Sequence, residues 1–134
     1  MNGKLEIKGQ LVDTNVIIRF LKGQTELFPL FEKMEDLYVS SISIGELMYG
    51  AELSKKTDFN RELYFDFCNQ MKVIYIDQDI AKNYGKIKAR LKKKGRPIPE
   101  NDILIAATAI TAGLSLVTAD TDFDHIDDLI TDKM

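Results

Sequence analysis

Four short apolar runs punctuate the chain: QLVD at 10–13, LYVSS at 37–41, VIYI at 73–76 and SLVT at 115–118. The first three are each followed by a longer stretch whose apolar residues recur at helical spacing. Parallel strands need crossover connections of a dozen residues or more, and those crossovers are right-handed, so this alternation leaves few topologies open. The expected fold is α/β: a three-layer α/β/α sandwich around a mainly parallel sheet of four to five strands, the fifth lying around 129–131.

The intervening helices can be placed from periodicity and stop signals. One is expected over about 14–22, with Val16, Ile17, Phe20 and Leu21 inward and Gly23 closing it. A second, over about 25–35, would bury Leu27, Phe28, Leu30, Phe31 and Met34. Helical spacing returns over 42–53 and 58–70. A long helix over 78–94, capped by Asp77 or Asp79, ends at Gly95. The Pro-punctuated RPIPE leads into a last helix, NDILIAATAITA, stopped by Gly113.

The 134 residues, 45% of them hydrophobic, suit one domain over 1–134 with a sizeable core. No apolar run approaches the roughly 20 residues that span a bilayer, and MNGKLEIKGQ has no apolar signal core, so a cytoplasmic protein without a membrane partner is expected. Cys68 is the only cysteine and His125 the only histidine, which removes disulfide frameworks and Cys/His zinc sites and leaves one residue for any His general base. Carboxylates must carry the chemistry.

Four acids stand at suggestive places, although each has a structural explanation of its own. Asp13 ends the first strand and would serve as a helix N-cap. Glu46 follows Ser43 at capping-box spacing. Asp102 lies in the first turn of a helix, where the dipole favours a negative charge, and Asp120 follows the fourth strand, where an Asx turn would use it. Together they fall at strand ends or helix starts, positions that converge on the crevice beyond the carboxyl edge of a parallel sheet. Clustered carboxylates repel. A hard divalent cation, Mg²⁺ or Mn²⁺, would make the gathering sensible, since it takes oxygen ligands and keeps waters. Thr14 and Asn15 are then placed to hydrogen-bond around Asp13.

The stretches LVDTNVII, SSISIGELMYGA and ENDILIAATAITAGLSLVTADTDF resemble, in order and over nearly the whole chain, the motifs of PIN-domain nucleases, in particular the VapC-type toxins of prokaryotic toxin–antitoxin pairs. The resemblance implies a metal-dependent endoribonuclease with Asp13, Glu46, Asp102 and Asp120 as its acidic quartet and Thr14, Asn15 and Thr118 in support. Asp122 falls in the same final motif, and Asp120, nearer the strand end, is favoured as the closer ligand. Implied with these are in-line hydrolysis of RNA phosphodiesters by metal-activated water, 5′-phosphate and 3′-hydroxyl products, a homodimer, and an antitoxin partner that holds it inactive.

Net charge is −3, but the charges are segregated: KIKARLKKKGR at 86–96 is basic and DTDFDHIDDLITD at 120–132 is acidic. Lys92, Lys93, Lys94 and Arg96 are therefore candidates for RNA contact, against the alternative of a solvated helix end. Phe59, Leu63, Tyr64, Phe65 and Phe67 cover more than one helix face, as core or as a partner surface. Two rival classes are a non-catalytic module of the same fold, which would be expected to lack one of the acids, and a phosphoacceptor signalling domain. The latter wants an acid pair at strand one and a Lys where Ala119-Asp120 stands.

Overall fold

The computed structural model describes residues 6–134. The first five residues of the N-terminal stretch MNGKLEIKGQ lie outside the described part. Five strands form one sheet in the order β3-β2-β1-β4-β5, every neighbouring pair parallel. These are β1 (Gln10–Val12), β2 (Leu37–Ser40), β3 (Lys72–Ile74), β4 (Ser115–Thr118) and β5 (Thr131–Lys133). The fifth strand is therefore real but lies two residues later than expected. It is set by pairing with β4, where Leu116 faces Thr131 and Thr118 faces Lys133, and not by apolarity of its own.

Alternation along the strands builds a core on each face. Leu11 and Leu116 pack with Ile80, Ile87 and Leu91 of α5 (Gln78–Lys94) and Ile103 and Ala107 of α6 (Glu100–Ala112). Val12, Val39 and Val117 point the other way, into a core with Val16 and Ile17 of α1 (Thr14–Leu21), Phe31 of α2 (Phe28–Phe31), Leu47 of α3 (Ser41–Leu53) and Phe67 of α4 (Thr57–Cys68). The chain moves outward from β1 to β3 with α1–α4 on one face, then returns past β1 to β4 and β5 with α5 and α6 on the other. Right-handed crossovers in opposite directions must place their helices on opposite faces. Gly95 and Gly113 close α5 and α6 in the left-handed conformation, φ 67° and 70°, where a side chain would be strained.

One helix differs from expectation. In place of a continuous helix over 25–35 there is a 3₁₀ turn at Thr25–Leu27, a single α turn at Phe28–Phe31 and a second 3₁₀ turn at Met34–Asp36. Pro29 has no N–H and its ring clashes with a helical carbonyl four residues back, so it is tolerated only in a first turn and the α turn restarts there. Of the aromatic helix, Phe67 is buried and Tyr64 packs on the core, whereas Phe59, Leu63 and Phe65 stand at the surface. Cys68 is buried, and burial pushes its thiol up to about 11. No described helix is long and apolar enough to cross a membrane.

Candidate metal centre

The strand order reverses between β1 and β4, so the crevice beyond their carboxyl ends is the switch point where open α/β sheets place ligands. Asp13 follows β1 there and Asp120 follows β4. Asp13 is buried. It caps α1 through Oδ1, which accepts the Thr14 N–H at 2.8 Å, and its Oδ2 accepts the Thr118 hydroxyl at 2.8 Å. Its capping role is therefore observed, together with a bond across the switch point that a cap does not require. Burial raises its pKa above the ordinary carboxylate value; the bonds from Thr118 and Thr14 oppose this, and Glu46 and Asp120 add to it. Thr118 is fully buried and its Oγ1 also accepts the Asp120 N–H at 3.0 Å, so one hydroxyl fixes both strand ends.

Asp102 enters from the first turn of α6, two residues after the helix begins. Carboxylate oxygens of Asp102, Asp120 and Asp122 all lie within 4.8 Å of one another. Asp120, favoured as the closer ligand, and Asp122 both belong to this trio. A 3₁₀ turn at Thr121–His125 folds Asp122 back, its N–H donating to Asp120 Oδ1 at 2.9 Å. Asp102 accepts no hydrogen bond from a described residue, and desolvation, followed by repulsion from Asp13, Asp120, Glu46 and Asp122, pushes its carboxyl up to about 7.

Glu46 lies on the flank of this trio. Thr14 Oγ1 is 2.6 Å from Glu46 Oε1 and 2.8 Å from Ser43 Oγ. With one proton to give, the Thr14 hydroxyl donates to the carboxylate and accepts from Ser43. The capping-box explanation of Glu46 does not hold: the cap of α3 is Ser40, whose Oγ accepts the Ile42 N–H at 3.0 Å, and Ser43 is a buried residue within the helix. Two residues of this network give little sign of it in the sequence. Ser43 reads only as a cap, and Asn101, whose Nδ2 lies 3.5 Å from Glu46 Oε2, carries no signal beyond its place beside Asp102. Asn15 is exposed, its side chain makes no hydrogen bond to a described residue, and it lines an open cleft of about 550 Å³ next to Thr14 and Glu46.

The donor set suits a hard divalent cation. It is all oxygen, and mutual spacing under 5 Å is what ligands about 2.0–2.6 Å from one ion produce. No described Lys or Arg pairs with the side chain of Asp13, Glu46, Asp102, Asp120 or Asp122. Lys133 reaches the Asp120 carbonyl at 3.0 Å but directs its charge to Asp124 at 2.8 Å. The negative charge is thus left without a counter-ion among the described residues.

The basic run behaves less simply than its sequence. Helices α5 and α6 are joined by a short loop, which sets Lys92, Lys93, Lys94 and Arg96 at the same end of the molecule as Asp102. Lys94, however, pairs with Asp127 at 2.9 Å and Arg90 with Asp128 at 3.6 Å, so part of the basic stretch is neutralised by the acidic one. Lys92, Lys93 and Arg96 are exposed and have no ion-pair partner among the described residues. His125 ends the 3₁₀ turn against α5, its carbonyl accepting from Lys94.

Known proteins share this architecture. The family model for the PIN domain matches residues 11–129. A ribonuclease VapC2 of Haemophilus influenzae is 38% identical over 110 residues, covering 81% of this chain and 83% of that one. A tRNA(fMet)-specific endonuclease VapC of Shigella flexneri is 32% identical over 127 residues, 91% and 95% of the two chains. Among solved structures, VapBC2 from Rickettsia felis bound to a DNA fragment from its promoter superposes with a TM-score of 0.86 at 28% identity, over 93% of this chain and 98% of that one. With its five-stranded parallel sheet, its acidic switch-point crevice and relatives of this length and identity, the chain belongs to the PIN-domain family, among the VapC ribonucleases.

Proposed function

We propose that the protein is a divalent-metal-dependent endoribonuclease, the toxin of a toxin–antitoxin pair, acting in the cytoplasm with Mg²⁺ or Mn²⁺. The observation that carries the chemistry is the trio Asp102, Asp120 and Asp122, three carboxylates within 4.8 Å at the switch point with no cation among the described residues to offset them. These residues, with Asp13 behind them, would hold the ion. When bound, the ion supplies Lewis-acid stabilisation of the phosphate oxygens and lowers the pKa of the attacking water.

The chain's own residues divide the remaining work. Thr118 and the Thr14 N–H fix the Asp13 carboxylate in place and oppose the effect of its burial. Thr14, backed by Ser43, takes up Glu46 Oε1 and leaves Oε2 to orient water and accept its proton. Lys92, Lys93 and Arg96 attract the RNA backbone to this end of the fold. Asn15 serves the cleft and not the Asp13 carboxylate.

A protein antitoxin and a second copy are the proposed partners. The structural neighbour from Rickettsia felis is a toxin–antitoxin complex. This chain exposes Leu53, Phe59 and Phe65 on α3 and α4, more large apolar side chains than a helical hairpin leaves unpartnered without cause. The name of the Shigella relative makes tRNA the first substrate to assay. Purified protein is expected to cut it with Mg²⁺ or Mn²⁺, to stop in excess chelator, and to lose activity in Asp13→Asn and Asp120→Asn. Undiminished cleavage in chelator refutes the mechanism.

A further inference from the structure

We infer that the open cleft beside Glu46 is a base-binding subsite, seating a nucleobase that flanks the scissile phosphate with its ring on Tyr49 and its edge against Asn15 and Asn101. The inference rests on the endoribonuclease reading and adds a specificity determinant to it. The cleft measures about 550 Å³ and opens directly beside Thr14 and Glu46. Its apolar walls are Ile18 and Ile42, and Tyr49 stands at its edge, 67% exposed, an amphipathic aromatic left bare beside the reactive end of the fold. Unstacked RNA bases are recognised in this way, by an aromatic face for stacking and side-chain amides for the base edge.

Charge selects which part of a nucleotide fits. No Lys or Arg lines the cleft, and its one ionisable acid is Glu46, so a phosphate is disfavoured there and a neutral ring is not. The phosphate would have its own place, against a cation that Asp102, Asp120 and Asp122 would hold. Asn15 and Asn101 each offer a donor and an acceptor, the complement that a base edge presents. The floor between them and Tyr49 is Gly45, one turn before Tyr49 on α3. A glycine inside a helix is less stable than alanine, and a Cβ at Gly45 would meet nothing within 4 Å, so packing within the chain does not require its smallness. Its smallness keeps the cleft open beside Tyr49.

The test uses a structured RNA that the wild type cuts, with a panel in which each base flanking the cleaved bond is replaced in turn. Wild type is expected to show a preference at one flanking position. Tyr49→Ala is expected to raise KM about tenfold and blur that preference, while Tyr49→Phe keeps both. Asn101→Ala should flatten the preference. Gly45→Leu, which fills the floor while improving helix propensity, should raise KM without lowering the melting temperature. If wild type cleaves but Tyr49→Ala and Gly45→Leu keep their KM and preference, the subsite is wrong and the nuclease reading stands. The subsite is equally wrong if those variants lose only antitoxin binding. If wild type cuts no RNA with either metal, both readings fall.

Discussion

Asp102→Asn, measured without metal, separates a cation site from a helix-start charge by the sign of its effect on stability. In the folded apo protein the Asp102 carboxyl titrates at about 7 against an ordinary 3.8, chiefly through desolvation and then through the surrounding acids. Below about pH 4 it is protonated whether the chain is folded or not, and contributes nothing. Between about 4 and 7 the unfolded chain ionises while the folded one keeps its proton, so stability falls as pH rises, and above about 7 the loss is complete. At 1.36 kcal/mol per pH unit the ceiling is about 4 kcal/mol. Solvent reaches this partly buried side chain, and screening brings the figure to about 2. Losing a favourable charge in the first turn of α6 returns about 0.5 kcal/mol in the opposite direction. The amide forfeits no hydrogen bond from a described residue.

The net expectation is that at pH 8 in chelator Asp102→Asn is more stable than wild type by about 1 to 2 kcal/mol, or about 4 to 8 °C in melting temperature for a chain of this size. Near pH 4 the two curves should meet. Wild type with Mn²⁺ at 100 times its Kd gains about 2.7 kcal/mol, and the variant should gain much less. Calorimetry at the two pH values, with and without metal, reads all three. An apo variant that melts below wild type at pH 8 would show that the helix dipole outweighs repulsion, and would remove Asp102 from the metal site.

Three further expectations rest on particular contacts. Thr118→Val keeps the shape of a buried side chain but removes the donor to Asp13 Oδ2 and the acceptor of the Asp120 N–H; it should cost about 1–3 kcal/mol in denaturant unfolding and lower cleavage with it. Replacing Lys92, Lys93 and Arg96 by Gln should reduce the slope of log K against log salt for RNA binding by up to about 2. Lys94→Gln, which breaks the pair with Asp127, should leave that slope nearly unchanged, and equal effects would contradict the division between paired and free cations. The Cys68 thiol, buried and pushed up to about 11, should resist alkylation at pH 8 until the protein unfolds, which mass spectrometry follows directly.

What is legible in the sequence is what local physics encodes. β1, β2 and β4 are apolar runs and can be read as such, whereas the short apolar Leu129-Ile130 places β5 only approximately, and its register, TDK, is set by the open edge of β4. Pro29 is visible in the second helix, but the strong spacing of Leu27, Phe28, Leu30 and Phe31 outweighs it in a reading by periodicity; the backbone geometry of proline is absolute where propensity is not. The acids are readable because strand ends in a parallel sheet converge. Ser43 and Asn101 are not, since their partners Thr14 and Glu46 lie 29 and 55 residues away. The same distance effect hides the pairing of Lys94 with Asp127 and makes one face look more basic than it is.

The structural explanations of these acids and their place in a metal site are not exclusive, and the difference between Asp13 and Asp102 shows why. Asp13 is buried more deeply, yet two hydrogen bonds oppose its desolvation, and one of them comes from the helix it caps. Its fixed position is therefore maintained with or without an ion. Asp102 has no such donors among the described residues, and its acidic neighbours only repel it. Combining a pinned carboxylate at the strand end with the repelled Asp102 of α6 gives a cluster whose position is set by the sheet and whose charge a bound cation would relieve. The apo state is then the less stable one, so anything that binds this end of the fold, a cation or a basic antitoxin segment, gains the relief of that repulsion as part of its binding free energy.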